Sequence, residues 1–418
     1  MLRRQYGIHF SITTRPIFAS IVLISNAFIW YSIVFTRYFG SNLLDKFAYE
    51  LALSVWVSHF VGVVLSAIIG AKLIDRFQRR SDFLTIWMIF GMLSTLSLLW
   101  IDSGGIIGIL LLSLIFGVSF GLGSPVSMGY FADCTTVENR AKLGGLTMLV
   151  SGLGVFLLGA AADGNMILQP IIPTIWRGIG LLIFLIVKPL KRSLEKEKKV
   201  SYQAILNQRQ VMLYLIPWLM FSLANYLGIS IQHKALVDML GSSNAATEQL
   251  KIFHTIEGVL AGAFSIVGGL LSDSIGRKRV TIFGFVQLGL GYAVLGIYHM
   301  SLFTWYFYTI VDGVAWGIFS LIFITTVWGD LSHGASSDRY YAVGGLPFFL
   351  SNLANLLASS YIAEIIQLQA IFSLAAFFIF MAVIPLMYAP ETLPEKKIRE
   401  RELRKYVQRA KKIKEKYS

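Results

Sequence analysis

The chain has little charge for its length. Asp, Glu, Lys and Arg make up 14% of 418 residues, against 56% hydrophobic residues and a mean hydropathy of +0.67. That is too little polar surface to cover a soluble globule, so a soluble domain is excluded. There is one cysteine, Cys134, which rules out an internal disulfide and a cysteine-ligated metal. The six histidines are scattered and no His-Glu-x-x-His occurs, so no metal site and no cofactor are expected. The absence of a Gly-x4-Gly-Lys-Ser/Thr phosphate loop argues against a built-in ATPase. Acids are outnumbered 23 to 36, giving a net charge of +13. The basic residues sit between and after apolar runs and form no face interleaved with aromatics, which excludes nucleic acid as a partner.

What the chain does have is apolar runs of about 18 or more residues, the length that crosses a ~30 Å hydrocarbon core. They lie at Pro16–Phe35, Ala52–Ile74, Phe83–Ile101, Ile106–Met128, Leu143–Ala162, Ile171–Leu190, Val211–Ile231, Ile252–Ser272, Val280–Met300, Leu302–Trp328, Tyr341–Ile362 and Ala370–Ala389. The first follows Arg3, Arg4 and Arg15 and carries no small-residue cleavage site, so it is expected to be retained. With the N-terminus inside, all but Arg37, Lys46, Arg177, Lys234 and Lys251 of the Lys and Arg residues fall on the cytoplasmic side. The positive-inside rule therefore predicts both termini in the cytoplasm, with Arg177 near an outer helix end.

The sequence also repeats itself. "GAKLIDRFQRR" from Gly70 and "GGLLSDSIGRKR" from Gly268 place Asp75 and Asp273 at matching points. "FGVSFG" from Phe116 answers "DGVAWG" from Asp312, and the segment after Asp133 answers the one after Asp330, with Arg140 matching Arg339. Three ordered matches at nearly constant offset predict parallel repeats about an axis along the membrane normal. The predicted fold is an all-α membrane protein of twelve transmembrane helices in two six-helix bundles. Its parts are an N-terminal bundle at 1–190, a linker at 191–210, a C-terminal bundle at 211–390 and a basic tail at 391–418. Apolar residues at three- and four-residue steps in the tail predict an amphipathic helix on the anionic inner leaflet. "GVSFG" formally fits a serine-hydrolase pattern, but it lies within a helix, and its counterpart keeps the glycines and loses the serine, so close helix packing is the expected role.

"GLLSDSIGRK" resembles the loop signature of the major facilitator superfamily, roughly Gly-x-Leu-Ala-Asp-Arg-x-Gly-Arg-Arg, with Ser274 in place of the first Arg. The first copy, with Ala71 and Gln78 in place of two glycines, keeps Asp75, Arg76, Arg79 and Arg80. The resemblance covers the whole chain. It implies a gate in which Asp75 meets the N-terminus of a helix in the opposite half and holds the cytoplasmic side shut. The residues assigned to that gate are Asp75, Arg76, Arg79, Arg80, Asp133, Arg140, Asp273, Arg277, Lys278, Asp330 and Arg339. "DCTTVENR" and "APETLPE" are similar to phrases of sugar porters and related metabolite carriers, although "NYLGI" lacks the glutamine-rich phrase of a sugar porter.

Two acids, Glu257 and Asp312, fall inside predicted spans, where a charge costs roughly 2.5–3.5 kcal/mol. They are the candidate proton-coupling groups, with helix–helix hydrogen bonding as the alternative. Asn26 and Trp30, Asn225 and Tyr226, Trp316, and Asn352 and Asn355 are the candidate substrate-cavity lining; His59 is expected to be a packed residue. The expected function is a secondary transporter moving a small sugar-like or organic-ion solute by alternating access with proton coupling. Facilitated diffusion or proton-antiport efflux of organic cations remains open, as does a transport-dead sensor on the same fold. An enzyme is not expected. The expected partners are a small-molecule solute, protons and the lipid bilayer of the plasma membrane, and the expected state is a monomer.

Overall fold

The computed structural model describes residues 3–35, 49–103, 105–162, 167–187, 198–365 and 367–393, together with Glu400, Leu403 and Val407. The segment 188–197 and nearly all of the tail helix expected above lie outside them. The described chain is helical: α1 Arg3–Ile33, α2 Tyr49–Leu73, α3 Arg80–Leu96, α4 Gly105–Cys134, α5 Arg140–Ala162, α6 Leu168–Ile186, α7 Arg209–Leu240, α8 Ser243–Ile275, α9 Arg277–Tyr298, α10 Leu302–Leu331, α11 Ser337–Ile365 and α12 Leu368–Tyr388. Among the described residues, eleven helices are long and apolar enough to cross a membrane.

The two sets of six helices pack alike. α1 lies against α5 and α6, as α7 lies against α11 and α12; α2 packs on α4 as α8 packs on α10, and α3 on α6 as α9 on α12. Between the sets, α2 meets α11 and α5 meets α8. The repeated glycines sit where helices touch. A Cβ on Gly117 or Gly121 would strike the backbone of α2 at His59 and Val63, and one on Gly313 or Gly317 would strike α8 at Glu257 and Ala261. Lateral packing of this kind replaces the hydrophobic drive that lipid removes.

The fourth and tenth helices both break regular geometry at matching depth. α4 is interrupted after Gly121 and resumes at Ser124, with Pro125 in the new first turn. α10 passes through a π-helical stretch, Ser320–Thr326, in which Thr325 and Thr326 hydroxyls both donate to the Leu321 carbonyl at 2.6 Å. Freed backbone groups at membrane depth are tolerated where side chains satisfy them or where they border a cavity.

Candidate functional site

The short connections after α2, α4, α8 and α10 converge at one end of the bundle, where the repeated Asp and Arg residues form a buried ion network. Arg80, at the start of α3, pairs with Asp133 at the end of α4 at 2.5 Å. Arg277, at the start of α9, pairs with Asp330 at the end of α10 at 2.9 Å. These are the same contact made once in each half. Each pair then reaches across: Arg80 grips Asp338 of α11 with two nitrogens, at 2.9 and 2.7 Å, and Asp330 takes Arg140 of α5 at 2.5 Å. Asp75 pairs with Arg339 of α11 at 2.5 Å, and Asp273 accepts the backbone N–H of Lys142, in the first turn of α5, at 2.9 Å. Arg277 also pairs with Asp273 at 3.1 Å and donates to the Val137 carbonyl.

The side chains of Arg277 and Asp330 are fully buried, and those of Arg80, Asp338 and Arg140 nearly so. Charges this dry are tolerated because each carboxylate meets at least one guanidinium, Asp338 through two nitrogens of Arg80. The connecting segment joins in. Arg339 donates to the Val200 carbonyl at 2.7 Å, and Tyr202 donates to the Ile68 carbonyl at 2.6 Å. Burial pushes the Tyr202 phenol up to about 12, with Arg339 opposing, so it remains a donor at neutral pH. Glu391 caps the start of α9, accepting from the N–H groups of Arg277 and Lys278 at 2.8 and 3.1 Å.

Among the gate residues, Arg76 and Arg79 make none of these bridges, and Lys278 donates to the Met387 carbonyl at 2.6 Å instead. Aligning the two loop phrases by their aspartates matches Arg80 with Lys278, yet the structural equivalent of Arg80 is Arg277. The first loop spends Phe77, Gln78 and Arg79 before α3 begins, whereas Gly276 alone separates α8 from α9. Gly276 takes φ 105, a turn that favours glycine.

Beyond this closed end, between the two sets of helices, lies a cavity of about 300 Å³. Its walls come from α1, α2 and α4 on one side and α7, α10 and α11 on the other, with the broken parts of α4 and α10 contributing Ser124, Pro125, Phe323 and Ile324. Of the seven residues expected to line a cavity, Tyr226 and Asn352 do so. Asn26 and Trp30 do not: they are buried on the side of α1 that faces α3 and α6, bonded to the Trp176 carbonyl at 2.6 Å and to Thr95 at 2.6 Å. Helical spacing shows that two residues share a face but not which neighbour that face meets. Asn225 is buried, Trp316 packs against Phe221 and Phe348, and Asn355 keeps a buried Oδ1 without a partner.

Glu257 and Asp312 also stand away from the cavity wall, at the contact of α8 and α10. Asp312 is buried, hydrogen-bonded with Tyr308, whose hydroxyl lies 3.0 Å from that of Tyr292. Its Oδ1 has no hydrogen-bond partner. Glu257 is one-quarter exposed and lies 3.4 Å from His254.

The architecture can be compared with solved structures. The chain superposes on a bacterial homologue of the iron transporter ferroportin in an outward-facing state, with TM-score 0.69 and 12% identity, covering 90% of this chain and 98% of that one. It superposes on the human organic anion transporter MFSD10 with TM-score 0.66 and 14% identity, covering 90% and 99%. On the proton:xylose symporter XylE bound to 6-bromo-6-deoxy-D-glucose the values are 0.64 and 15%, covering 92% and 96%. No curated protein matches it in sequence. Residues 218–415 match the sequence model of the Major Facilitator Superfamily. The C-terminal half of the chain thus matches the Major Facilitator Superfamily, and the whole described chain shares the fold of these transporters. Among the described residues it is built of helices long and apolar enough to span a membrane.

Two features of this chain escape sequence reading. Asp338 is the buried partner of Arg80, 258 positions away, and only its place beside Arg339 in the repeated segment hints at a role. Arg177, expected near an outer helix end, lies in the middle of α6 and is fully buried. Its guanidinium sits 4.7 Å from the Trp30 ring and 4.1 Å from the Trp87 ring, and Nη1 donates to Asn26 at 3.0 Å. Two indole faces take the place of a carboxylate in holding this cation.

Proposed function

We propose that the chain moves a small organic solute by alternating access, with the cavity between the two sets of helices as the solute site. The observation that carries this reading is a cavity at the seam, closed at one end by ion pairs that link opposite sets of helices. Breaking those pairs and re-forming contacts at the far end exchanges which side the cavity opens to. The Lys and Arg distribution supports a cytoplasmic closed end. Proton uptake at Asp312, whose bare Oδ1 sits beside Glu257 and a tyrosine pair, supplies the coupling. A second reading is facilitated diffusion, favoured by the separation of these acids from the cavity wall. Counterflow of labelled solute in proteoliposomes tests transport: uptake above that of protein-free vesicles is expected, and none across a chemically diverse solute panel contradicts it. Acidifying the outside then separates coupled from uncoupled carriers.

The gate gives a further expectation. Asp75→Asn removes the charge that Asp75 presents to Arg339 and, at 3.9 Å, to the exposed Lys199, so it shifts the population toward the state open to the cytoplasm without loss of folded protein. A contact at a partly exposed site is worth about 1 kcal/mol, a shift of roughly fivefold. Labelling of introduced cysteines at the two ends of the cavity measures it; unchanged labelling at both ends contradicts a gating role.

A further inference from the structure

We infer that the cavity takes a neutral, planar aromatic solute that offers a hydrogen-bond donor. This rests on the cavity being the solute site. Twelve of its twenty-four described lining residues are aromatic, and no Asp, Glu, Lys, Arg or His is among them. Several rings already lie flat against one another: Tyr31 and Phe120 have centroids 3.7 Å apart, and Trp218 and Phe348 are within 6° of parallel. A flat ring extends such stacks, whereas a carboxylate finds no cation in the wall and an ammonium no acid.

The polar lining sets the rest. Trp218 donates its indole N–H to the Gly344 carbonyl at 3.0 Å, and Trp328 donates to the Phe323 carbonyl at 2.6 Å. Tyr341 donates its hydroxyl to the Thr325 carbonyl at 2.6 Å. The Tyr31 hydroxyl lies 2.8 Å from Nε2 of His59, and Nδ1 of the same ring lies 3.3 Å from the Ser113 carbonyl. A carbonyl can only accept, so Nδ1 carries the proton of a neutral imidazole, Nε2 accepts, and Tyr31 donates to it. Tyr31 and Tyr341 therefore keep oxygen lone pairs but have no proton left to give. Apart from these, the wall's polar side chains are few: the hydroxyls of Ser32, Ser124 and Tyr226 and the amide of Asn352. A sugar brings more hydroxyls, each needing both a donor and an acceptor, than these few groups on an aromatic wall can pair, while a single ring N–H or O–H on a flat apolar body is matched by the Tyr31 or Tyr341 oxygen.

His59 thus acts as a positioning residue, turning Tyr31 into an acceptor. The test is equilibrium binding to the purified full chain in nanodiscs, read by calorimetry against empty nanodiscs, with five probes: indole, 1-methylindole, D-glucose, benzoate and phenyltrimethylammonium. Indole is expected to bind, with about tenfold loss when its nitrogen is methylated and no binding of glucose or benzoate. Tyr31→Phe should bring the indole to 1-methylindole ratio down several-fold; if that variant does not fold, the ratio in the unaltered chain decides. Equal binding of indole and 1-methylindole, tighter binding of any of the other three probes, or no indole binding overturns the inference. Binding of indole without its flux in proteoliposomes upholds the solute class and counts against transport, so the two failures are distinguishable.

Discussion

Asp330→Asn is expected to destabilise the folded chain by about 3–5 kcal/mol, the cost of stranding buried charge. The Asp330 carboxylate is shared by Arg140 from α5 and Arg277 from α9 and accepts from Thr392 at 3.0 Å. Its side chain is wholly buried, so water cannot step in for the lost charge. An amide oxygen serves one guanidinium poorly and its NH2 repels the other. The thermal midpoint in detergent should fall steeply, and the surviving protein should be opened at the ion-paired end. Asp75→Asn is the comparison, since Asp75 is one-quarter exposed and its loss is expected to cost far less. Equal midpoints for the two variants would show that burial does not set the strength of these pairs.

Asp312→Asn is expected to abolish proton-driven accumulation while sparing exchange of labelled for unlabelled solute. A proton entering down 100 mV releases about 2.3 kcal/mol, enough for roughly fifty-fold accumulation of a neutral solute at one proton each. An amide of nearly the same shape keeps the hydrogen bond with Tyr308 but cannot gain or lose the proton. The accumulation ratio should therefore fall to about one, and the exchange rate should hold. Accumulation that survives in Asp312→Asn, in Glu257→Gln and in the double variant returns both acids to structural hydrogen bonding.

Sequence carried the architecture because the fold is written twice. The aspartates Asp75 and Asp273, and Asp133 and Asp330, recur at nearly constant offset, although only the structure shows that Arg80 with Asp133 and Arg277 with Asp330 are the contact made in both halves. The glycines recur for the same reason: each copy needs α4 or α10 pressed onto its neighbour. What the sequence did not show is contact between the halves. Nothing local links Arg80 to Asp338, and the bond exists because α3 and α11 end at the same face. The cavity lining was harder still. Polar residues in helices drew attention to Asn26 and Trp30, which are spent on α3 and α6, while the wall is largely phenylalanine, tyrosine and tryptophan that composition alone cannot separate from core.

The decisive measurement is two-sided accessibility of one cavity position. In a Cys134→Ser chain carrying Asn352→Cys, a membrane-impermeant maleimide would be applied to right-side-out and inside-out vesicles, with and without Arg80→Gln to release Asp338. Alternating access requires labelling from the outer face in the parent and a marked gain of labelling from the cytoplasmic face once the Arg80 bridge is cut. Labelling confined to one face, and indifferent to Arg80→Gln, would mean that the ion pairs are structural and the cavity is not a passage.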